Sequence, residues 1–181
     1  MEFNLDNALA LLDRTPSVLS TLLRGLPDAW TACNEGETTW SPLDVVAHLL
    51  YTDHSNWMPR ARLILESGES KPFAPFNRFG HRDERQGKSL DQLLDAFAHL
   101  RSQNLAALRA LELSAVDLER RGQHPALGAA TLSQLLASWT VHDLTHLHQL
   151  TRVLAHQYRE AVGPWNKFLG VLQCSGHSAP A

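Results

Sequence analysis

The sequence predicts an all-α, single-domain four-helix bundle with a short C-terminal helix, and three observations lead there. Four long stretches space leucine and other apolar residues helically, none shows the alternation of a convincing strand, and capping residues mark several helix starts. Amphipathic helices without a sheet must bury their apolar stripes on one another, which makes a bundle. A chain of 181 residues is long enough to close such a core without disulfide staples.

Residues 4–25 carry Leu5, Leu9, Leu12, Val18, Leu19 and Leu22 near helical spacing, with Pro16 as a kink position. Residues 25–39 read as a connector through Pro27 and Gly36. Ser41 and Pro42 supply an N-cap and an N1 proline for a second helix, which runs through His48 to about Trp57. Pro59 kinks or restarts it before 61–66. The stretch 68–88 reads as a long loop without periodicity, and loops of that length are often functional. On the plainer reading Phe73, Phe76 and Phe79 plug the bundle surface and the HRDER run is a solvated face.

Ser89 caps a third helix, 90–111, with Leu93, Leu94, Phe97, Leu100, Leu105 and Leu108 on its stripe. A second loop through Gly122, Pro125 and Gly128 leads to Thr131, the cap of a fourth helix, 132–156. After Gly163 and Pro164 a short helix, 165–172, closes a domain spanning 1–173. The stretch 174–181 reads as a flexible tail.

Composition narrows the function classes. The content is 44% hydrophobic and 19% charged with a net charge of −3, which offers no basic footprint for nucleic acid or an anionic membrane. No apolar run approaches the ~20 residues needed to span a bilayer. The acidic start MEFNLDNALALLD lacks the basic-then-apolar pattern of a signal peptide. Cys33 and Cys174 are far apart with no CxxC, so a reducing cytoplasm is the expected location.

The most informative residues are three histidines. His142 and His146 are four apart, so on a helix both imidazoles share one face. Leu132, Leu135, Trp139, Leu150 and Val153 lie on that face as well, which turns the pair toward the core. His48 sits in a second, almost wholly apolar helical segment. Core imidazoles need polar partners, and two sources are open: backbone carbonyls or water, or one metal ion that all three ligate. The metal reading is the one we adopt. His148 falls roughly 200° around the helix from His146 and should be solvated. His54, His81, His99, His124, His156 and His177 show no comparable pairing.

Neighbouring residues suggest the rest of a site. Gln149 follows His146 by three residues, so it can line the same pocket and hold a ligand or water as a catalytic residue. Asp44 precedes His48 by one turn and can face the site as a base, or simply be the first-turn acid that the helix dipole favours. Asp143 lies ~100° from His142 and should bond to a neighbouring helix. Arg78, Arg82 and Arg85 can meet a substrate carboxylate, although solvated arginines are the plainer reading.

These pieces, in order, resemble the DinB-like (DinB/YfiT-like) superfamily of metal-dependent enzymes. The resemblance is carried by TTWSPLDVVAHLLYTD, PFNRFGHRDERQGKSLDQLL, WTVHDLTHLHQLTRVL and YREAVGPWNKFLGVL. Its specific part is the histidine of AHLL with the pair in HDLTHLHQ. The resemblance implies an up-down-down-up bundle, often homodimeric, in which His48, His142 and His146 bind a divalent metal. The first and third helices, which carry no ligand, are the natural pairing surfaces. Some members are transferases or isomerases using thiols such as bacillithiol or mycothiol, and others are regarded as hydrolases.

The triad's chemistry also stands without the resemblance. Three neutral imidazoles leave an ion's charge uncompensated and at least one coordination position open, whereas structural zinc sites are usually closed by four protein ligands. An open position suits water or a thiol, whose pKa the ion lowers. Zinc, nickel and iron(II) all accept imidazole. Taken with the reactions that the resemblance implies, a metal-dependent transferase or hydrolase acting on a small molecule is the first expectation. A metal-binding stress or interaction protein with a structural ion is the alternative.

Overall fold

The computed structural model describes residues 2–174. The first expected helix is two: α1 (Leu5–Leu12), capped by Asn4, and α2 (Thr15–Leu23), with Pro16 in its first turn. A proline near a helix start loses no bond it would otherwise make, so the chain restarts there and does not merely kink. A single turn, α3 (Asp28–Thr31), interrupts the connector. The second bundle helix is α4 (Pro42–Ser55) followed by α5 (Trp57–Ser67). They part at Asn56 because Pro59 has no N–H for the carbonyl of Ser55.

The expected loop 68–88 contains a 3-10 turn at Gly68–Ser70 and a short helix, α6 (Gly80–Arg85). The third bundle helix, α7 (Leu90–Arg109), is followed by a single turn, α8 (Ala115–Leu118). Next comes an antiparallel hairpin, β1 (Arg121–His124) with β2 (Gly128–Thr131), where a plain loop was expected. Strands reading RGQH and GAAT carry no apolar alternation; tertiary contact holds them. Phe73 N–H donates to the Gln123 carbonyl at 2.9 Å. Gly122 lies so close to the core that a Cβ there would approach Ile64 at 2.6 Å and Phe73 at 2.9 Å.

The fourth bundle helix, α9 (Leu132–His156), matches its expected span. The last expected helix, 165–172, is instead a 3-10 segment at Gly163–Phe168 followed by α10 (Gly170–Gln173). Of the expected tail, everything after Cys174 lies outside the described residues. Reciprocal capping boxes start three of the bundle helices: Ser41 with Asp44, Ser89 with Gln92, and Thr131 with Gln134. Each satisfies two otherwise orphaned backbone groups.

Cross-helix bonds fix the directions. Arg24 reaches Asp91 while Leu12 meets Arg101, so the first bundle helix runs against α7. Asp53 meets Arg101 and Asn104 well along α7, while Asp44 pairs with Arg85, which lies ahead of the start of α7, so α4 runs parallel to α7. His48 opposes His142 while Trp57 stacks on Trp139, so α9 runs against α4. The topology is up-down-down-up. The long segment 68–88 is the crossover that two consecutive parallel helices require.

Two apolar clusters stack along this bundle. One contains Leu12, Trp57, Leu105 and Trp139; the other contains Leu19, Leu50, Phe97 and Leu150. A polar layer separates them. Asp53 falls between Leu50 and Trp57 on the second bundle helix, Arg101 between Phe97 and Leu105, and Asp143 between Trp139 and Leu150. Arg101 donates to Asp53 from Nε and Nη2 at 2.7 and 2.9 Å and to Asp143 from Nη1 at 2.5 Å. Burial disfavours its charge, but the two carboxylates outweigh that and push its pKa up. At Asp53 burial is the larger effect and raises the carboxyl despite Arg101. Among the described residues no helix is long and apolar enough to cross a membrane.

Candidate metal centre

The triad sits in the same stretch of the bundle as that polar layer. The α4 helix presents His48, and one face of α9 presents His142 and His146. The Nε2 atoms of His48 and His146 each lie 3.1 Å from Nε2 of His142. All three ligand atoms fall within 4.8 Å of one another. A ring nitrogen carries either one proton or one lone pair, so a single hydrogen bond settles only one of the two contacts on His142 Nε2. One divalent ion at about 2.0–2.1 Å from each nitrogen accounts for both. The residues present fit such an ion.

Their surroundings put the two rings on α9 in a ligand's state. Gln149 Oε1 lies 2.8 Å from His146 Nδ1, an acceptor that holds the proton there and turns the Nε2 lone pair toward the other histidines of the triad. Burial, then the nearby charges of His146 and Arg101, lowers the His142 pKa well below its ordinary value and keeps the ring neutral. Trp57 meets the His142 ring edge-on at 5.1 Å and is itself stacked on Trp139. Trp40 packs against His48 and His146 at ring distances of 4.7 and 5.9 Å. His148 is exposed and takes no part.

The triad forms part of the wall of a cleft of about 1960 Å³. The cleft is also bounded by Trp40, Phe76 and residues of α6. The HRDER run is therefore only partly the solvated face expected of it. His81 is 4% exposed, packs on Trp40 at 4.6 Å and lies 3.1 Å by Nδ1 from the Arg78 carbonyl. Burial lowers its pKa below the usual imidazole value. Glu84 bonds His54 and Lys88, and Arg85 pairs with Asp44 at 2.5 Å. Of the three loop phenylalanines, Phe73 enters the core, Phe76 faces the His48 ring and Phe79 is 61% exposed.

Gln149 and Asp44 both line the cleft. Gln149 is 2% exposed, with its amide against His146. Both oxygens of Asp44 are engaged. Ser41 donates to Oδ2 from its N–H and hydroxyl at 3.0 and 2.6 Å, and Arg85 donates to Oδ1. Burial alone would raise this carboxyl, but those bonds outweigh it and lower the pKa. Asp143 bonds Arg101 on α7, the neighbouring-helix partner expected for it.

Sequence reading missed His81, Trp40, Arg101, and the pair of Glu35 with Arg152. Two of them carry a legible signal. Arg101 occupies a core position four residues from both Phe97 and Leu105, where an unpaired charge would be costly. Arg152 follows Gln149 by three residues on the face of α9 that bears the triad. His81 and Trp40 carry no local pattern and reach the cleft only through the crossover and the chain before α4.

A model of the DinB superfamily matches residues 11–150. No curated protein matches the chain. Among solved structures, YfiT from Bacillus subtilis is similar with a TM-score of 0.71 and 20% identity, over 84% of this chain and 86% of that one. That protein is described as a probable metal-dependent hydrolase with an unusual four-helix bundle topology. At this identity the likeness speaks for the bundle alone. The family match, by contrast, spans most of the chain and takes in all three histidines, so the chain belongs to the DinB superfamily.

Proposed function

We propose that this protein is a divalent-metal-dependent enzyme that directs a small nucleophile, water or a low-molecular-weight thiol, at a small-molecule substrate bound in the cleft. One observation carries the reading: the three imidazole nitrogens converge on the wall of an open cleft and not inside a closed core. His48, His142 and His146 would hold the ion. When bound, it supplies Lewis acidity and lowers the pKa of a nucleophile beside it. Gln149 keeps His146 in the ligating tautomer, and the Trp40 and Trp57 rings restrict how His48, His142 and His146 can turn. Phe76 and His81 help bound the cleft where a substrate would lie. Hydrolysis is the reading nearest to the description of YfiT; transfer from a thiol uses the same arrangement with a different nucleophile.

A structural role for the ion has one observation in its favour, because the triad ties α4 to α9. Metal analysis of the purified protein separates the readings when combined with turnover. One zinc, nickel or iron per chain, lost together with hydrolytic or thiol-transfer activity in His142→Ala, is the expected result. Full activity in that variant would leave the ion without a catalytic part.

A further inference from the structure

We propose that Arg152 anchors a carboxylate of the molecule that the cleft takes. The position of the reacting end rests on the metal-dependent reading above; the anionic end rests on Arg152. Two arginines of this chain are more than nine-tenths buried, Arg101 at 1% and Arg152 at 7% exposure. Arg101 bridges two carboxylates, with Nε and Nη2 on Asp53 and Nη1 on Asp143. Arg152 makes the first half of the same arrangement. Its Nε and Nη2 donate to Glu35 at 2.7 Å each. Its Nη1 is buried with no acceptor among the described residues.

A guanidinium offers five N–H donors in a rigid fork, and a buried one without an acceptor carries the penalty of an unmade bond. Among the described residues nothing supplies the second carboxylate that Arg101 has. Arg152 lines the cleft, on the stripe of α9 that also carries His142, His146 and Gln149. Six residues advance the helix by about 9 Å along its axis and turn it by about 120°, so Arg152 lies at least that far from His146. The fitting ligand is a small molecule with a metal-seeking donor atom at one end and a carboxylate at least that distance away. Glu35 sets the guanidinium plane, so a planar, forked acceptor is favoured over a lone hydroxyl.

The test titrates cobalt(II)-substituted protein with 8-mercaptooctanoate and with 8-mercaptooctanol, whose thiols report through thiolate-to-cobalt absorption. The acid is expected to bind about tenfold tighter or more, as a bond to a charged group would give. Thioglycolate should show no such advantage over 2-mercaptoethanol, because neither reaches Arg152. In the double variant Arg152→Met, Glu35→Gln, which strands no buried carboxylate, the long acid and alcohol should bind alike while the cobalt spectrum is kept. Equal affinity of the long acid and alcohol for the unaltered protein overturns the proposal. If cobalt is not taken up, the metal reading fails on its own, and calorimetry with octanoate reads the anchor. Octanoate binding that the double variant loses supports it; no octanoate binding by the unaltered protein overturns it.

Discussion

Gln149 holds His146 by the nitrogen that faces away from the other two histidines, with Oε1 2.8 Å from Nδ1. The contact links a residue with no ligand atom in the cluster to the electronic state of one that has. It follows from a spacing of three residues on one helix, and it needs a buried position so that water does not replace the amide. At 2% exposure Gln149 has that position.

Removal of this acceptor should therefore weaken the metal site without unfolding the bundle. Gln149→Leu is expected to lower divalent-metal affinity by about 10–100-fold, the usual cost of losing a partner behind a ligating imidazole. Gln149→Glu, which keeps an acceptor, should retain most of the affinity. Competition against a chromophoric chelator measures both, with far-ultraviolet circular dichroism as the control.

Arg101 neutralises two carboxylates that are almost fully buried. Arg101→Met should destabilise the protein by about 3–5 kcal/mol, because Asp53 and Asp143 are left unpaired in the core. Replacing all three by Met, Leu and Leu should recover most of that loss. Urea unfolding of the two variants beside the parent reads the difference; a single variant as stable as the parent would contradict the pairing.

The Asp44 carboxyl titrates below its ordinary value in the folded chain. The unfolded chain thus takes up the proton first, at about pH 3.9. The stability from this group is complete above that pH and is lost as pH falls through the folded value. Asp44→Asn should cost about 1 kcal/mol near neutral pH through the weakened cap. That gap to the parent should narrow by pH 3, as denaturant midpoints at the two pH values will show.

Gly80 lets α6 lie directly on the Tyr51 ring, which a Cβ would overlap. Gly80→Ala should cost about 1–3 kcal/mol by forcing the two apart. It should also loosen His81 and the bond from Arg85 to Asp44. Thermal melts give the first effect; the second appears as faster hydrogen exchange in 80–88.

Homodimerisation is a further expectation. Leu11, Val18 and Leu22 leave apolar surface on the first bundle helix at 46, 44 and 37% exposure. The third bundle helix, α7, exposes no large apolar side chain, whereas α9 exposes Val141 and Leu144 at 60 and 47%; the expected pairing therefore engages the first bundle helix together with α9. Sedimentation at micromolar concentration should give twice the chain mass, and Val141→Glu should return the monomer.

By itself the sequence determined the features written in local periodicity. The leucine stripes set four bundle helices, and Ser41, Ser89 and Thr131 marked three starts, because a cap needs only the residue three positions on. The pair His142 and His146 was legible for the same reason, since one turn of helix brings them together whatever else the chain does. His48 was legible as a histidine out of place among apolar neighbours. Only the tertiary structure decided what depends on long-range approach. The strands of the hairpin have no pattern of their own and form where Phe73 and Ile64 receive them. The contact of His48 with His142 spans 94 positions, that of Arg152 with Glu35 spans 117, and Arg101 takes partners from three other helices. Such contacts follow from how helices cross, and the crossing is set by the summed packing of many side chains rather than by any short run of residues.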